Sequence, residues 1–298
     1  MKHHNRSSIV WLQGLTCNGN SHSFLNYPSM DMFSKVFKIL HHPQINTPYS
    51  LEDILKTDAK VDFLVIEGAL SRSEKILSRF GYSFKDILDI LSKKAKYIIC
   101  AGSCASFGGI FRLQNEAKIF GALFSGKEKG GFWFNNSKVI NISGCPMHPR
   151  WFVETLLKLH YGDKLSLDEY RRPKEVYSYL VHHGCLRNEY FEWKVDCKDY
   201  GEKEGCLFYE HGCQGPMTHA NCNKILWNSV SSKTRVGSAC FGCTEFDFPR
   251  LALYETKKHM SLPSAPYGIS KRAYYSLAGV AKGFKIERLE KRLIDENN

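Results

Sequence analysis

Tyr97-Ile-Ile-Cys-Ala-Gly-Ser-Cys104 decides the fold: an apolar run is stopped by glycine, and a cysteine follows two residues later. Short runs of this kind, rich in Val and Ile and closed by Gly, suit central strands of a parallel sheet covered on both faces. The pattern recurs along the first half. Ser8-Ile-Val-Trp-Leu-Gln13 leads into Gly14, Val61-Asp-Phe-Leu-Val-Ile-Glu67 into Gly68, and Lys138-Val-Ile-Asn-Ile142 into Ser143-Gly144. An amphipathic stretch from Phe84 to Lys94 lies between two of these runs and predicts a helix. Strands alternating with helical segments predict an α/β fold built on an open parallel sheet.

The cysteines fall at telling places on that sheet. Cys17, Cys104 and Cys145 each follow a predicted strand by three or four residues. Open α/β sheets gather ligands in the crevice beyond the carboxyl ends of their strands. Topology alone therefore brings three distant positions to one edge. A single cysteine there reads most simply as a small buried hydrophobe; three together point to a shared ligand.

Residues 163–247 differ in character. They are polar, poor in long periodic segments and dense in Cys and Gly, as in regions where metal centres replace part of an apolar core. His182, Cys185, Cys206, Cys213, Cys222, Cys240 and Cys243 lie there. Nine of the eleven cysteines, with one histidine, thus take spacings suited to iron–sulfur clusters. Such clusters need three or four convergent soft ligands, with histidine an occasional substitute. The chemistry this implies is electron transfer. Arg171-Arg172-Pro173 reads as a linker between the halves, and helical patterns return after Pro249, chiefly over residues 271–290.

Composition excludes several classes. Hydrophobic content of 43% and charged content of 24% are those of an ordinary globular protein, and 298 residues suffice for a full core. No apolar run approaches the roughly 20 residues that span a bilayer, so no integral membrane segment is expected. Met1-Lys-His-His-Asn-Arg-Ser-Ser-Ile-Val10 shows neither an apolar signal core nor a twin-arginine pair. A cytoplasmic protein is expected, where clustered cysteines favour metal or redox roles over disulfides. The formal charge of +11 does not predict nucleic-acid binding, because the basic residues are scattered apart from Arg171-Arg172 and the tail segment from Lys282 to Arg292. Metal-bound thiolates would also offset it. The basic surface reads as a solvated face or as a dock for an acidic redox partner.

Several motifs together resemble those of nickel–iron hydrogenase small (iron–sulfur) subunits. They are Gly14-Leu-Thr-Cys-Asn-Gly-Asn20, Glu67-Gly68, Gly102-Ser-Cys-Ala-Ser-Phe-Gly-Gly109 and Gly144-Cys-Pro-Met-His-Pro149. The likeness continues in His182-His-Gly-Cys-Leu-Arg187, Cys206-Leu-Phe-Tyr-Glu-His-Gly-Cys-Gln-Gly-Pro216, Asn221-Cys222 and Cys240-Phe-Gly-Cys-Thr-Glu-Phe-Asp-Phe248. Tyr267-Gly-Ile-Ser-Lys-Arg-Ala-Tyr and Leu277-Ala-Gly-Val-Ala-Lys-Gly-Phe look like the cytosolic uptake and hydrogen-sensing branches. The resemblance implies a flavodoxin-like domain over residues 1–165 holding a proximal cluster. It implies a loop-rich domain over residues 166–298 holding medial and distal clusters. Cys17, Cys104 and Cys145 would hold the proximal cluster, Cys222, Cys240 and Cys243 the medial, and His182, Cys185, Cys206 and Cys213 the distal. The distal cluster would be 4Fe–4S and the medial 3Fe–4S.

The resemblance further implies a separate large subunit that carries the nickel–iron centre and splits hydrogen. This chain would hold no catalytic residue of its own and would relay electrons to an external acceptor. Alternative roles are a hydrogen sensor with slow turnover, coupled to a signalling partner, and a degenerate scaffold. Residence is expected in the cytoplasm, either free or held peripherally at a membrane.

Two positions depart from the family. Its first motif reads C-x-x-C, whereas Asn20 stands here in place of the second cysteine. A neutral amide is a poor substitute for thiolate on iron. The proximal cluster is therefore expected as an altered 4Fe–4S with Asn20, water or a partner group as fourth ligand, as a three-iron form, or absent. Lys233 falls where some members carry a fourth medial cysteine and others proline. Cys100 and Cys197 match no ligand position and are expected in packing roles. His148, His183 and His211 are read as non-ligands, His3-His4 and His41-His42 as surface residues, and Glu67 as structural.

Overall fold

The computed structural model describes residues 6–58, 60–114 and 118–250, with Ser270, Ala273 and Ser276. The tail motifs and the helical stretch over 271–290 otherwise lie outside the described residues, as do His3 and His4. Five strands form one parallel sheet: β1 (Ser7–Gln13), β2 (Phe37–His41), β3 (Val61–Glu67), β4 (Ala95–Ala101) and β5 (Val139–Ile142). Their order is β5-β4-β3-β1-β2, every neighbouring pair parallel. This is the doubly wound flavodoxin-like order, whose ligand crevice opens where the winding reverses beside β1 and β3.

Period-two alternation divides the core between the sheet's faces. Ile9 and Trp11 of β1 join Phe63, Val65 and Ile99 on one face; Val10 and Leu12 join Leu64, Ile66 and Ile98 on the other. Helix α1 spans Gly19–Leu25, α2 Met30–Val36, α3 Leu51–Lys56 and α4 Phe84–Lys94. In α4, Phe84, Ile87, Leu88 and Leu91 form one buried stripe. Ser83 caps its start by accepting the Asp86 amide at 3.0 Å, and Lys93 and Lys94 suit the negative end of its dipole. Helix α5 spans Gly102–Phe107 and α6 Pro149–Tyr161. Proline opens α6 and Gly162, at φ 87°, closes it. Its Trp151, Phe152, Val153, Leu156 and Leu159 cover the Trp11 face.

That same core continues into Val176, Tyr177, Val181, Cys213 and Cys240, so the second half packs directly against α6 and the sheet. Its regular elements are short: α7 (Lys174–Tyr177), α8 (Asn188–Trp193), and single 3₁₀ turns at Val181–Gly184 and Gly215–Met217. Among the described residues no helix is long and apolar enough to cross a membrane.

Two expectations need correction. His42 is not a surface residue: it is 2% exposed, its ring 4.9 Å from that of Trp11, and burial pushes its pKa down to about 4. Arg171-Arg172 is not a loose linker. Arg172 is 3% exposed, pairs with Asp168 at 2.8 Å and donates to the Thr244 carbonyl at 3.0 Å.

Candidate functional site

The carboxyl ends of β1, β4 and β5 carry the first cysteine set. Cys17 lies between β1 and α1, Cys104 in α5 directly after β4, and Cys145 after β5. Ser103 stitches these loops together. Its amide donates to the Gly144 carbonyl and its hydroxyl accepts the Gly144 amide, both at 2.9 Å, while the hydroxyl donates onward to the Cys243 carbonyl. Burial pushes the Cys104 thiol up to about 11, with the charges of Cys17 and Glu67 adding to it. The Cys145 thiol is also raised, first by the crowding of its sulfur in the crevice, which desolvates it, and then by Cys104, Cys243 and Cys17, although the residue as a whole keeps exposed surface. The three thiols thus act on one another at one sheet edge. Cys17 and Cys145 are exposed there.

Gly109 makes room for this edge. A Cβ at that position would stand 2.4 Å from Cys104 Sγ and 2.9 Å from its Cα, on a backbone with φ +51°. Gly109→Ala is therefore expected to displace Cys104 and to cost about 1–3 kcal/mol in strained backbone and crowding. Iron per chain and the thermal midpoint should both fall. Wild-type values for both would show that the loop yields without disturbing Cys104.

Glu67, at the end of β3, is fully buried and organises the crevice. One carboxylate oxygen accepts from Thr16 Oγ1 at 3.2 Å and from the amides of Asn20 and Ser21 at 3.0 and 3.1 Å. The other accepts from Trp11 Nε1 at 3.0 Å, Gln13 Nε2 at 3.1 Å and the Ser21 hydroxyl. It thereby fixes the start of α1. Asn20 is buried, and its Oδ1 accepts the Met147 amide at 2.8 Å. Its oxygen is thus engaged in tying α1 to the loop after β5.

Cys222, Cys240 and Cys243 line a cavity of about 400 Å³, together with Cys145, Trp227 and Lys233. The Lys233 ammonium stands 4.3 Å from the centre of the Phe241 ring, and its charge acts on Cys145 and Cys243. The Gly242 amide donates to Cys240 Sγ at 3.5 Å. Burial raises the pKa values of all three thiols.

His182, Cys185, Cys206 and Cys213 line a second cavity with Arg187 and Phe208. His182 sits in the 3₁₀ turn Val181–Gly184 with its Nε2 buried and without a hydrogen-bond partner. Burial pushes its pKa down to about 4, which leaves a neutral imidazole suited to metal ligation. Phe208 N–H points to Cys206 Sγ at 3.4 Å; the amides of Gly215 and Cys240 point to Cys213 Sγ at 3.4 and 3.3 Å.

These donor sets fit iron–sulfur clusters. Burial pushes Cys206 and Cys213 up to about 12, so thiolates in these cavities need a cation to hold their charge, which iron supplies. Amide-to-sulfur bonds are the contacts that tune cluster thiolates.

The remaining cysteines and histidines make contacts of their own. Cys100 is fully buried in β4, and Cys197 is fully buried with its Sγ 2.9 Å from the Asp199 carbonyl. His211 Nε2 lies 2.9 Å from the Cys197 carbonyl, and His148 caps α6 by accepting the Arg150 amide at 3.2 Å. His183 Nδ1 accepts the Leu180 amide at 3.2 Å. Ser103 and Arg187 carry no spacing signal of their own; only their adjacency to Cys104 and Cys185 hinted at the site.

Residues 17–159 match the family described as NADH ubiquinone oxidoreductase, 20 Kd subunit, and residues 177–254 match the C-terminal family of the NiFe/NiFeSe hydrogenase small subunit. The periplasmic [NiFe] hydrogenase small subunit of Solidesulfovibrio fructosivorans is 30% identical over 82% of this chain and 79% of its own. The chain belongs to the nickel–iron hydrogenase small-subunit family. The F420 non-reducing hydrogenase I small subunit of Methanosarcina mazei is 28% identical over 93% of this chain and 83% of its own. A recombinant [NiFeSe] hydrogenase chain from Desulfovibrio vulgaris Hildenborough superposes with TM-score 0.69 at 27% identity, over 86% of this chain and 99% of that one. An actinobacterial-type NiFe-hydrogenase chain from Ralstonia eutropha H16 shares the fold, with TM-score 0.72 at 24% identity over 98% and 92%. As a hydrogenase small subunit, the chain is the electron-transfer partner of a large subunit that carries the nickel–iron centre.

Proposed function

We propose that this small subunit relays electrons through three clusters in the order Cys17/Cys104/Cys145, then Cys222/Cys240/Cys243, then His182/Cys185/Cys206/Cys213. One observation carries the order: the middle set adjoins both of the others. Cys145 of the near set lines the cavity of Cys222, Cys240 and Cys243, and the Cys240 N–H donates to Cys213 Sγ of the far set at 3.3 Å. The clusters, when bound, supply the one-electron redox states. The chain's own residues hold the thiolates at fixed places, exclude water and set the local charge. The exposure of Cys17 and Cys145 supports the first set as the one nearest the large subunit.

The far set, with its neutral His182, suits 4Fe–4S. The middle set has three thiolates and Lys233 beside them, which suits 3Fe–4S. At the near set Asn20 Oδ1 already accepts the Met147 amide, which favours water or a partner group as fourth ligand, or a three-iron form. Hydrogen-dependent viologen reduction by the anaerobically co-purified complex tests the reading. Fast turnover with about ten or eleven iron atoms per chain is expected. About seven iron atoms or fewer, with no turnover, would leave only a scaffold.

Asn20→Cys probes the near set separately. An added thiolate brings one negative charge, so that cluster's potential should fall, and a three-iron form should gain about one iron. Identical iron and potential in both proteins would remove Asn20 from any role at the cluster. Assignment to the cytosolic branch is also part of the proposal. It rests on the tail motifs at residues 267–284, and fractionation of the native cells tests it.

A further inference from the structure

Arg187 is a buried arginine with no carboxylate partner among the described residues. It is 4% exposed, two positions after Cys185, and it lines the far cavity with His182, Cys206 and Cys213. Its Nε donates to the Thr234 carbonyl at 2.7 Å, its Nη1 to those of Glu204 and Gly205 at 2.9 and 2.8 Å, and its Nη2 to that of Glu202. All four acceptors are neutral backbone oxygens. Among the described residues no carboxylate lies within ion-pairing distance of it.

Arg172 shows how this chain otherwise treats a buried guanidinium. It is 3% exposed and has carboxylates on two sides, Asp168 at 2.8 Å and Glu245 at 3.8 Å. A buried charge with no opposite partner is strongly disfavoured. Arg187 shares its cavity with the thiols of Cys185, Cys206 and Cys213. Cys197 Sγ lies 4.0 Å from its Nη1, within bonding reach of the Asp199 carbonyl and Glu202. Cys206, directly after the gripped Gly205, feels the guanidinium charge, which works against the burial that raises its thiol pKa.

We propose that Arg187 is the counter-ion and positioning residue of the far site, its guanidinium neutralising an anionic cluster held by Cys185, Cys206, Cys213 and His182. This rests on reading the far set as a 4Fe–4S site. Three thiolates and a neutral imidazole give that cluster net negative charge in both redox states, and more in the reduced one. A fixed positive charge beside it favours the reduced state and raises its potential. The four carbonyl bonds also tie the Cys185 turn to the segment entering Cys206 and to Thr234 of the middle-set loop, so one side chain sets both charge and placement.

The test is a redox titration of the intact small–large complex, following the far cluster's reduced-state electron paramagnetic resonance signal, with iron counted in parallel. In Arg187→Gln the far potential should shift negative by the equivalent of about tenfold in the reduced-to-oxidised ratio, about 59 mV for one electron. The other two clusters should move much less. Arg187→Lys, which keeps the charge, should return most of the shift. An iron-replete Arg187→Gln complex with the wild-type potential overturns the proposal. If Arg187→Gln does not assemble, Arg187→Lys decides. A retained cluster near the wild-type potential supports the counter-ion role, and loss of the cluster from Arg187→Lys as well overturns it, leaving only the carbonyl clamp. A wild-type complex that lacks the far-cluster signal is instead a failure of the cluster reading.

Discussion

Glu67→Ala is expected to lower the stability of the protein by about 3–5 kcal/mol, the range for breaking a buried charged network by removing one partner. The carboxylate takes six hydrogen bonds, from Trp11, Gln13, Thr16, the amides of Asn20 and Ser21, and the Ser21 hydroxyl. Alanine leaves all six donors without their acceptor at a fully buried position. Each buried donor without a partner costs about 1–3 kcal/mol, and water entering the vacated space recovers part of that. The thermal midpoint should fall by roughly 6–20 °C at about 2–4 °C per kcal/mol. Two of the donors are amides in the first turn of α1, next to Cys17, so near-site iron should be lost with the stability. Glu67→Gln keeps the shape but turns an amide donor toward other donors. It should fall between alanine and wild type. A Glu67→Ala complex with the wild-type midpoint and iron content would show that the crevice is held by packing alone.

The contrast between Glu67 and its neighbours shows which parts of this molecule were legible in its residues. Four strands were readable because each is a glycine-closed apolar run buried on both faces, and β1, β3, β4 and β5 fall on those runs. β2 was not readable. Phe37–His41 sits at the sheet edge, mostly part-exposed, with a lysine that suits an edge strand, and so lacks an apolar run. The cysteines could be grouped because ligand spacing is local and soft-ligand chemistry restricts the residue types. Residues that act through long-range approach carry no such mark. Arg172 meets Thr244 across 72 positions, Ser103 meets Cys243 across 140, and Arg187 meets Thr234 across 47. His42 looked like a surface histidine because nothing near it in sequence announces that Trp11 covers it. At Asn20 the sequence showed the departure from C-x-x-C, and only the fold shows that its oxygen serves the Met147 amide.

Cys240→Ser is expected to break the relay at its middle while leaving the fold intact. Cys240 divides its work between two sets. Its backbone carbonyl accepts the Gln214 amide at 2.8 Å and its N–H donates to Cys213 Sγ at 3.3 Å, so the main chain supports the far set. Its Sγ faces the middle cavity, 3.5 Å from the Gly242 amide and 3.7 Å from Thr218 Oγ1. Serine preserves the backbone contacts and nearly the volume, and it removes only the soft ligand. About three iron atoms per chain should be lost, with the S = 1/2 signal of the oxidised three-iron cluster. Hydrogen-dependent viologen reduction should fall by more than about 100-fold, since even outer-shell partners of metal ligands commonly cost 10–100-fold. The far-cluster signal should persist. Cys197→Ser is the matched comparison: that thiol is more deeply buried than Cys240, but its Sγ points to the Asp199 carbonyl and to Glu202. It should keep all of its iron and its turnover. Equal iron loss from the two variants would mean that thiol burial and packing, not ligation, hold the metal in this half. The order of the three sets would then have to be rebuilt without Cys240.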